Sequence, residues 1–379
     1  MQMRVLFLQE GVLAGGGVMG HATYQHSVRA ELERLPEVEA RFRGLPPMGR
    51  SARRMSRGWP LLGGLDLDLQ TVRWHAVQAR RARQVLQKEL SRSRPDVVHV
   101  KSHSIAMGLV DEMDRVPIVP VVDATVWEWR EMAIWRDLRR HSRTMVGLSE
   151  MRERRVLSRA PMVIALTDWA KASVLHRSPA ANVVKHHPGI DLRRYSPAER
   201  EDTGSRRVLF VGGRFEAKGG ADLLAALRPR LGRDVTLDIV TMDPVPETDG
   251  VTVHRLDAGD ERLVDLYRRA DIFCLPTLGD SNPWVILEAM ACGTPVVSTT
   301  VGAIPELLGH GEAGVVVEPG DRDALGSALD KLLDDDELRR DLGAAGRRRC
   351  QRHYDSRVQV PLLFELLGQV ARLSESSAA

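Results

Sequence analysis

Cysteine is rare in this chain, aromatic side chains are sparse, and a long apolar run is missing; each shortage removes a class of protein. The three cysteines, Cys274, Cys292 and Cys350, are odd in number and lack the spacing of metal ligands. That argues against a disulfide-stapled scaffold or a zinc module and leaves reduced thiols in or near a core. No stretch reaches the roughly 18 to 20 uninterrupted apolar residues of a membrane span. The opening residues, Met1 to Glu10, are too few and too soon acidic for a secretion signal, so the cytoplasm is the expected compartment. Aromatics make up 4% of the residues, and nothing among them suggests a base-stacking platform or a recognition helix, so no nucleic acid partner is expected.

The 379 residues are enough for two domains with separate cores. The net charge of +3 hides an uneven spread: Arg41 to Arg94 holds thirteen Lys or Arg against Asp66, Asp68 and Glu89, interleaved with Phe42, Leu45, Met48, Met55, Trp59, Leu61 and Leu62. Such a segment suits peripheral contact with an anionic membrane or an anionic acceptor, and equally a solvated helix face.

The most informative stretch runs from Asp271 to Ser298. Its first residues, to Pro276, read as a buried strand; a short polar loop follows, and Asn282 as N-cap with Pro283 at the first helical position opens a helix that Gly293 stops. Asp280 then lies in the loop and Glu288 on the helix. A strand end beside a helix N-terminus leaves unpaired N–H groups where open α/β folds bind anionic ligands.

Asp280-x7-Glu288 followed by Ala-Met-Ala-Cys-Gly-Thr-Pro-Val-Val resembles the E-x7-E signature of the retaining GT-B glycosyltransferases of family 4, the group 1 glycosyl transferases. The resemblance implies that the first acid meets hydroxyls of the donor sugar and that the second holds the ribose of the nucleotide. Asp280 stands where the family usually has Glu, one methylene longer, and Ser281-Asn282-Pro283-Trp284 where Gly-Phe-Gly is common; the resemblance assigns the donor-sugar contacts to these residues, and it is at these contacts that the chain departs from the family's pattern.

Upstream, Arg207 to Val211 reads as a strand leading into Gly212-Gly213-Arg214-Phe215-Glu216-Ala217-Lys218-Gly219-Gly220. Two glycines permit a tight turn, and an Arg fork with a Lys point charge suits a diphosphate leaving group. In the resembling family these two residues grip the diphosphate in place of a metal. No Asp-x-Asp stands in a metal-binding context, since Asp66-Leu67-Asp68 lies in the basic segment and Asp334-Asp335-Asp336 between two C-terminal helices; no metal or other cofactor is expected. Gly302-Ala303-Ile304-Pro305-Glu306 resembles the family's Gly-Gly-x-x-Glu turn, whose amides approach the phosphates.

The first half repeats the alternation of strands and helices. Strand Arg4 to Gln9 runs into Gly15-Gly16-Gly17 and a helix near Val18 to Arg34, and the resembling family carries a similar Gly-Gly there, which places Gly16 and Gly17 beside the donor. Strand Val116 to Val122 delivers Asp123-Ala124-Thr125 where the family usually has a His near the reacting carbon. Asp123 or His103 is the candidate for that role, with His99 and Lys101 as neighbours on the adjoining strand end. Trp127, Trp129 and Trp135 with nearby Arg suit either sugar stacking or core packing.

The expected architecture is α/β of GT-B type: two doubly wound Rossmann-like domains facing a cleft. They are an acceptor domain 1–190, a linker 191–206, a nucleotide-sugar domain 207–352 and a helix 353–373 crossing back to the first, with Ser374 to Ala379 a disordered tail. The expected activity is metal-independent, retaining transfer from a UDP- or GDP-sugar to a sugar, lipid-linked or small-molecule acceptor in glycan, glycolipid or glycoconjugate biosynthesis. A nucleotide-sugar epimerase, a phosphorylase-like enzyme and a non-catalytic sugar-nucleotide binder are the alternatives.

Overall fold

The structure is a computed structural model that describes residues 2–10, 19–56, 69–132, 143–199 and 204–378. It divides into two units, one of Met1–His21, Val28–His187 and Val360–Ala379, the other of Ala22–Ser27 and Pro188–Gln359.

The first unit is built on six parallel strands, β1 (Met3–Gln9), β2 (Val38–Gly44), β3 (Val97–Val100), β4 (Ile118–Val122), β5 (Val163–Ala165) and β6 (Val183–Lys185), in the order β2-β1-β3-β4-β5-β6. Strands β3, β4 and β5 are buried at every residue, the near-continuous apolar signature of a parallel sheet covered on both faces. The helix Gln70–Arg92 presents His75, Gln78, Ala82, Leu86 and Glu89 at spacings of three and four, all buried, against a core of Leu6, Leu8, Val98, Val100, Ile105 and Leu109. Fully burying each such Leu or Ile contributes about 1.5–3 kcal/mol.

Strand β2 lies in what the charge pattern marks as a basic, irregular segment. It is an edge strand in which only Phe42 is buried; Arg43 bonds Glu89 at 2.9 Å and Arg41 reaches the same carboxylate at 3.9 Å. The short apolar content hid it from periodicity. Part of the basic run is therefore committed to internal pairing, whereas the helix Arg50–Met55 buries none of its residues. Trp59, Leu61, Leu62 and the Asp66-Leu67-Asp68 triplet lie outside the described residues, as do Gly15 to Gly17 and Trp135.

The second unit repeats the plan with β7 (Arg206–Val211), β8 (Val235–Val240), β9 (Val251–His254), β10 (Ile272–Leu275), β11 (Val296–Thr299) and β12 (Gly314–Val317), in the order β12-β11-β10-β7-β8-β9, again all parallel. This is the doubly wound order in which the chain reverses direction between β7 and β10, and ligands of such sheets bind outside the strand ends at that crossing.

Two boundaries differ from expectation. Residues 191–199 pack into the second unit, with Leu192 and Tyr195 buried and Arg347 donating to the carbonyls of both, so the polar composition concealed an anchored segment. The helix Ser356–Ala378 continues through the expected tail, where the Ser374 hydroxyl bonds the Val370 carbonyl at 3.0 Å and no breaker intervenes; its residues from Val360 on group with the first unit.

Candidate functional site

Three turns meet at the carboxyl edge of β7, β10 and β11. The first, after β7, brings Lys218 and Gly219 against the second, after β10. Gly219 has φ +76°, and a Cβ there would sit 1.9 Å from the Pro276 carbonyl oxygen, so only glycine allows this approach. The Leu278 N–H donates to the Ala217 carbonyl at 3.1 Å and closes the junction. The third turn docks through Gly302, also left-handed, whose Cβ would lie 2.3 Å from the Asp280 carbonyl oxygen, and through an Ala303 N–H bond to the Ser281 carbonyl at 2.9 Å.

Within this frame Lys218 donates from Nζ to the Gly279 carbonyl at 3.0 Å and forms an ion pair with Asp280. The two side chains retain 20% and 17% exposure, enough for an entering anion or hydroxyl to compete. Arg214 is exposed on the same turn, and its carbonyl accepts the Lys218 N–H at 2.9 Å.

The helix Trp284–Ala291 starts one residue later than expected: Pro283 holds the N-cap position and no side chain caps it. Asn282 therefore does not cap. It is 5% exposed, and among the described residues neither its Oδ1 nor its Nδ2 has a hydrogen-bond partner, an uncompensated burial that a bound polar group would relieve. Ser281 and Trp284 are buried beside it.

Glu288 is 3% exposed and both carboxylate oxygens are occupied. Oε1 accepts from the Thr23 hydroxyl at 2.7 Å and Oε2 from the Tyr267 hydroxyl at 2.8 Å. Burial raises its proton affinity, partly offset by those two hydroxyl bonds. Tyr195, buried beside Tyr267 at 6.3 Å between ring centroids, completes the shell. None of Thr23, Tyr195 and Tyr267 was visible from the motif: their proximity arises from tertiary packing, and only the Tyr in the helix before β10 lies near it in sequence.

In the first unit, Asp123 follows β4 and is half-buried. Its charge is felt by Lys101, which burial pushes down to about 8, and by Glu10, which burial raises to about 7. His99 is fully buried against Phe7, 4.8 Å between ring centroids, and burial pushes its imidazole down to about 3. His103 is 3% exposed, with Nε2 3.1 Å from Glu153 Oε1. That same oxygen accepts the Val126 N–H at 2.9 Å. Burial depresses the imidazole and raises the carboxyl, and Nδ1 of His103 has no partner among the described residues, as expected for a neutral ring donating from Nε2. His103 thus packs inside the turn that follows Asp123, held through the Glu153 carboxylate. Thr125 secures the other side of that turn, bonding Ser173 at 2.8 Å. The Trp127 ring already engages cations: the Arg130 and Arg177 guanidiniums lie over it, 3.7 and 4.0 Å from its centroid.

Among the described residues no three His, Cys, Asp or Glu converge as metal ligands. Asp334 accepts from Arg230, Asp335 caps a helix and Asp336 pairs with Arg206. All three cysteines are buried thiols. Among the described residues no helix is long and apolar enough to cross a membrane.

Residues 205–335 match the family model described as Glycosyl transferases group 1. The MMP alpha-(1->4)-mannosyltransferase of Mycolicibacterium hassiacum is 30% identical over 275 residues, 67% of this chain and 66% of that one. The D-inositol 3-phosphate glycosyltransferase of Corynebacterium diphtheriae is 34% identical over 187 residues, 42% of this chain and 44% of the relative, so the similarity spans less than two thirds of either protein's length. In fold the chain is similar to sucrose-phosphate synthase from Thermosynechococcus elongatus, with TM-score 0.73 at 19% identity over 97% of this chain and 99% of that one. It is likewise similar to Anabaena HepE in complex with UDP-glucose, with TM-score 0.68 at 15% identity over 97% and 100%. The chain belongs to the group 1 glycosyl transferases and carries their GT-B fold of two parallel-sheet units.

Proposed function

We propose that the protein transfers a sugar from a nucleoside diphosphate donor, a UDP- or GDP-sugar, to an acceptor hydroxyl with retention of anomeric configuration and without a divalent metal. The observation that carries this reading is the convergence of Lys218, Asp280 and Asn282 at the β7/β10 crossing, inside the segment that matches the family model. The mannosyl and inositol-phosphate glycosyltransferase names of the relatives, and the UDP-glucose bound to HepE, support the choice of donor class.

In this reading Glu288 holds ribose, while Arg214 and Lys218 take the diphosphate. As the bond to the sugar breaks, negative charge grows on the leaving diphosphate, and two fixed cations lower the barrier by stabilising it. Lys218 is held by Asp280 until the diphosphate arrives, so entry of the donor exchanges one ion pair for another and releases Asp280 toward sugar hydroxyls. Asn282 supplies an amide donor and acceptor to the same sugar, with Ser281, Pro283 and Trp284 shaping the pocket; the assignment of Gly16 and Gly17 to donor binding rests on the family resemblance of the Gly15 to Gly17 run alone. Asp123 orients the acceptor or the reacting carbon, and His103 supports it through Glu153. The acceptor is a sugar, lipid-linked or small-molecule hydroxyl, and the setting is the cytoplasm, with peripheral membrane contact through the basic 41–94 segment.

A panel of nucleotide sugars ranked by thermal shift, followed by acceptor-dependent release of nucleoside diphosphate and NMR of the product anomer, tests the proposal. Transfer that survives EDTA with the donor's anomeric configuration kept is expected. Asp280→Asn should lower turnover about tenfold or more while leaving nucleoside diphosphate affinity within about threefold. Loss of activity in EDTA restored by magnesium or manganese contradicts the metal-free mechanism, and binding without any transfer or hydrolysis favours a non-catalytic role.

A further inference from the structure

Glu288 cannot meet ribose as it stands, because both its oxygens already accept hydroxyl bonds and the side chain is almost wholly covered. Of these two hydroxyl donors, Tyr267 belongs to the core: it is fully buried, packed on Phe273 at 5.7 Å, and its carbonyl accepts the Thr294 hydroxyl at 2.7 Å. Thr23 is held differently. It lies in the six-residue piece Ala22–Ser27, the one part of the N-terminal 187 residues that groups with the second unit, while the chain on both sides of it does not. Next to it Tyr24 covers Trp284 edge-on, at 5.8 Å and 82°.

Resting on the reading of Glu288 as the ribose acceptor, we propose that Thr23 is a residue of the donor site whose hydroxyl occupies the ribose position on Glu288 Oε1 and must yield when nucleotide binds. A threonine hydroxyl and a ribose hydroxyl offer the same donor to the same carboxylate oxygen, so the two exclude each other. The covered form lowers the observed affinity by the fraction of molecules in which Ala22–Ser27 has left Glu288. A charge-assisted bond to a buried carboxylate is among the stronger contacts holding that cover, since losing the hydroxyl removes the 2.7 Å donor to Oε1.

Titration of UDP and GDP into the parent, Thr23→Val, Thr23→Ser and Glu288→Gln proteins tests this, with amide hydrogen exchange of residues 22–27 followed in the parent alone. Thr23→Val should bind nucleotide about tenfold more tightly, Thr23→Ser should behave like the parent, and nucleotide should speed exchange at 22–27. If Glu288→Gln weakens binding while Thr23→Val leaves it equal or weaker, or if nucleotide slows exchange at 22–27, Thr23 is no competitor and the proposal falls with the ribose assignment intact. If Glu288→Gln has no effect on binding, the ribose assignment fails first and takes the proposal with it. The exchange measurement uses the unaltered protein, so a misfolded variant does not decide the matter.

Discussion

The carboxyl edges of the two sheets are assembled in opposite ways. At β7 and β10 the polar groups come from two short runs of sequence locked together through glycine, and the central pair, Lys218 with Asp280, is charged and partly open. At the edge of the first sheet the groups arrive singly, Glu10 after β1, Lys101 after β3, Asp123 after β4. There burial moves His99, Lys101 and Glu10 toward their neutral forms. One edge keeps fixed charge ready for an anionic ligand; the other holds titratable groups in a dry environment where small changes alter protonation.

The sharpest way to break the first edge is Gly219→Ala. The left-handed φ and the 1.9 Å approach to Pro276 together should cost the second unit about 3 kcal/mol or more in chemical denaturation. Stability within about 0.5 kcal/mol of the parent would mean the two turns are not in contact.

For the other edge, Glu153→Leu should cost about 2–3 kcal/mol, because it leaves the Val126 N–H and His103 Nε2 without an acceptor, whereas Glu153→Gln keeps a carbonyl there and should cost about 1 kcal/mol or less. Equal losses for the two would show that shape, and not hydrogen bonding, sets the role of this side chain.

The contrast also appears in pH dependence. His99 sits at about 3 when folded against an ordinary value of 6.5, so the unfolded chain binds the extra proton first. Its contribution is complete above pH 6.5 and is lost as pH falls toward 3, at about 1.4 kcal/mol per unit. Glu10 runs the other way: raised from 4.5 to about 7, it favours the fold most below 4.5 and least above 7. The stability difference between the parent and His99→Phe should therefore shrink or reverse on acidification below 6.5; a difference that does not move with pH would contradict a buried neutral imidazole.

This difference in assembly also governs what could be read from the sequence. Strands β7 to β12 and the Asp280/Glu288 spacing are legible because local apolar runs and one contiguous motif encode them. Strand β2 was not, since an edge strand with one buried residue leaves no alternation to detect. The place of His103 was illegible for another reason: a histidine at a strand end looks the same whether it faces a ligand or an interior carboxylate far along the chain, and only the fold brings Glu153 to it. Thr23 was hidden in the same way, 265 residues from the carboxylate it bonds.

The central claim is that the β7/β10 crossing is the nucleotide site, with Glu288 and Lys218 as its anchors. Isothermal titration of nucleoside diphosphate into the parent, Glu288→Gln and Lys218→Ala proteins addresses it directly. The account predicts a loss of about 1.5–3 kcal/mol of binding free energy for each, as expected when one charge-assisted contact is removed. Affinities equal to the parent in both variants would contradict it.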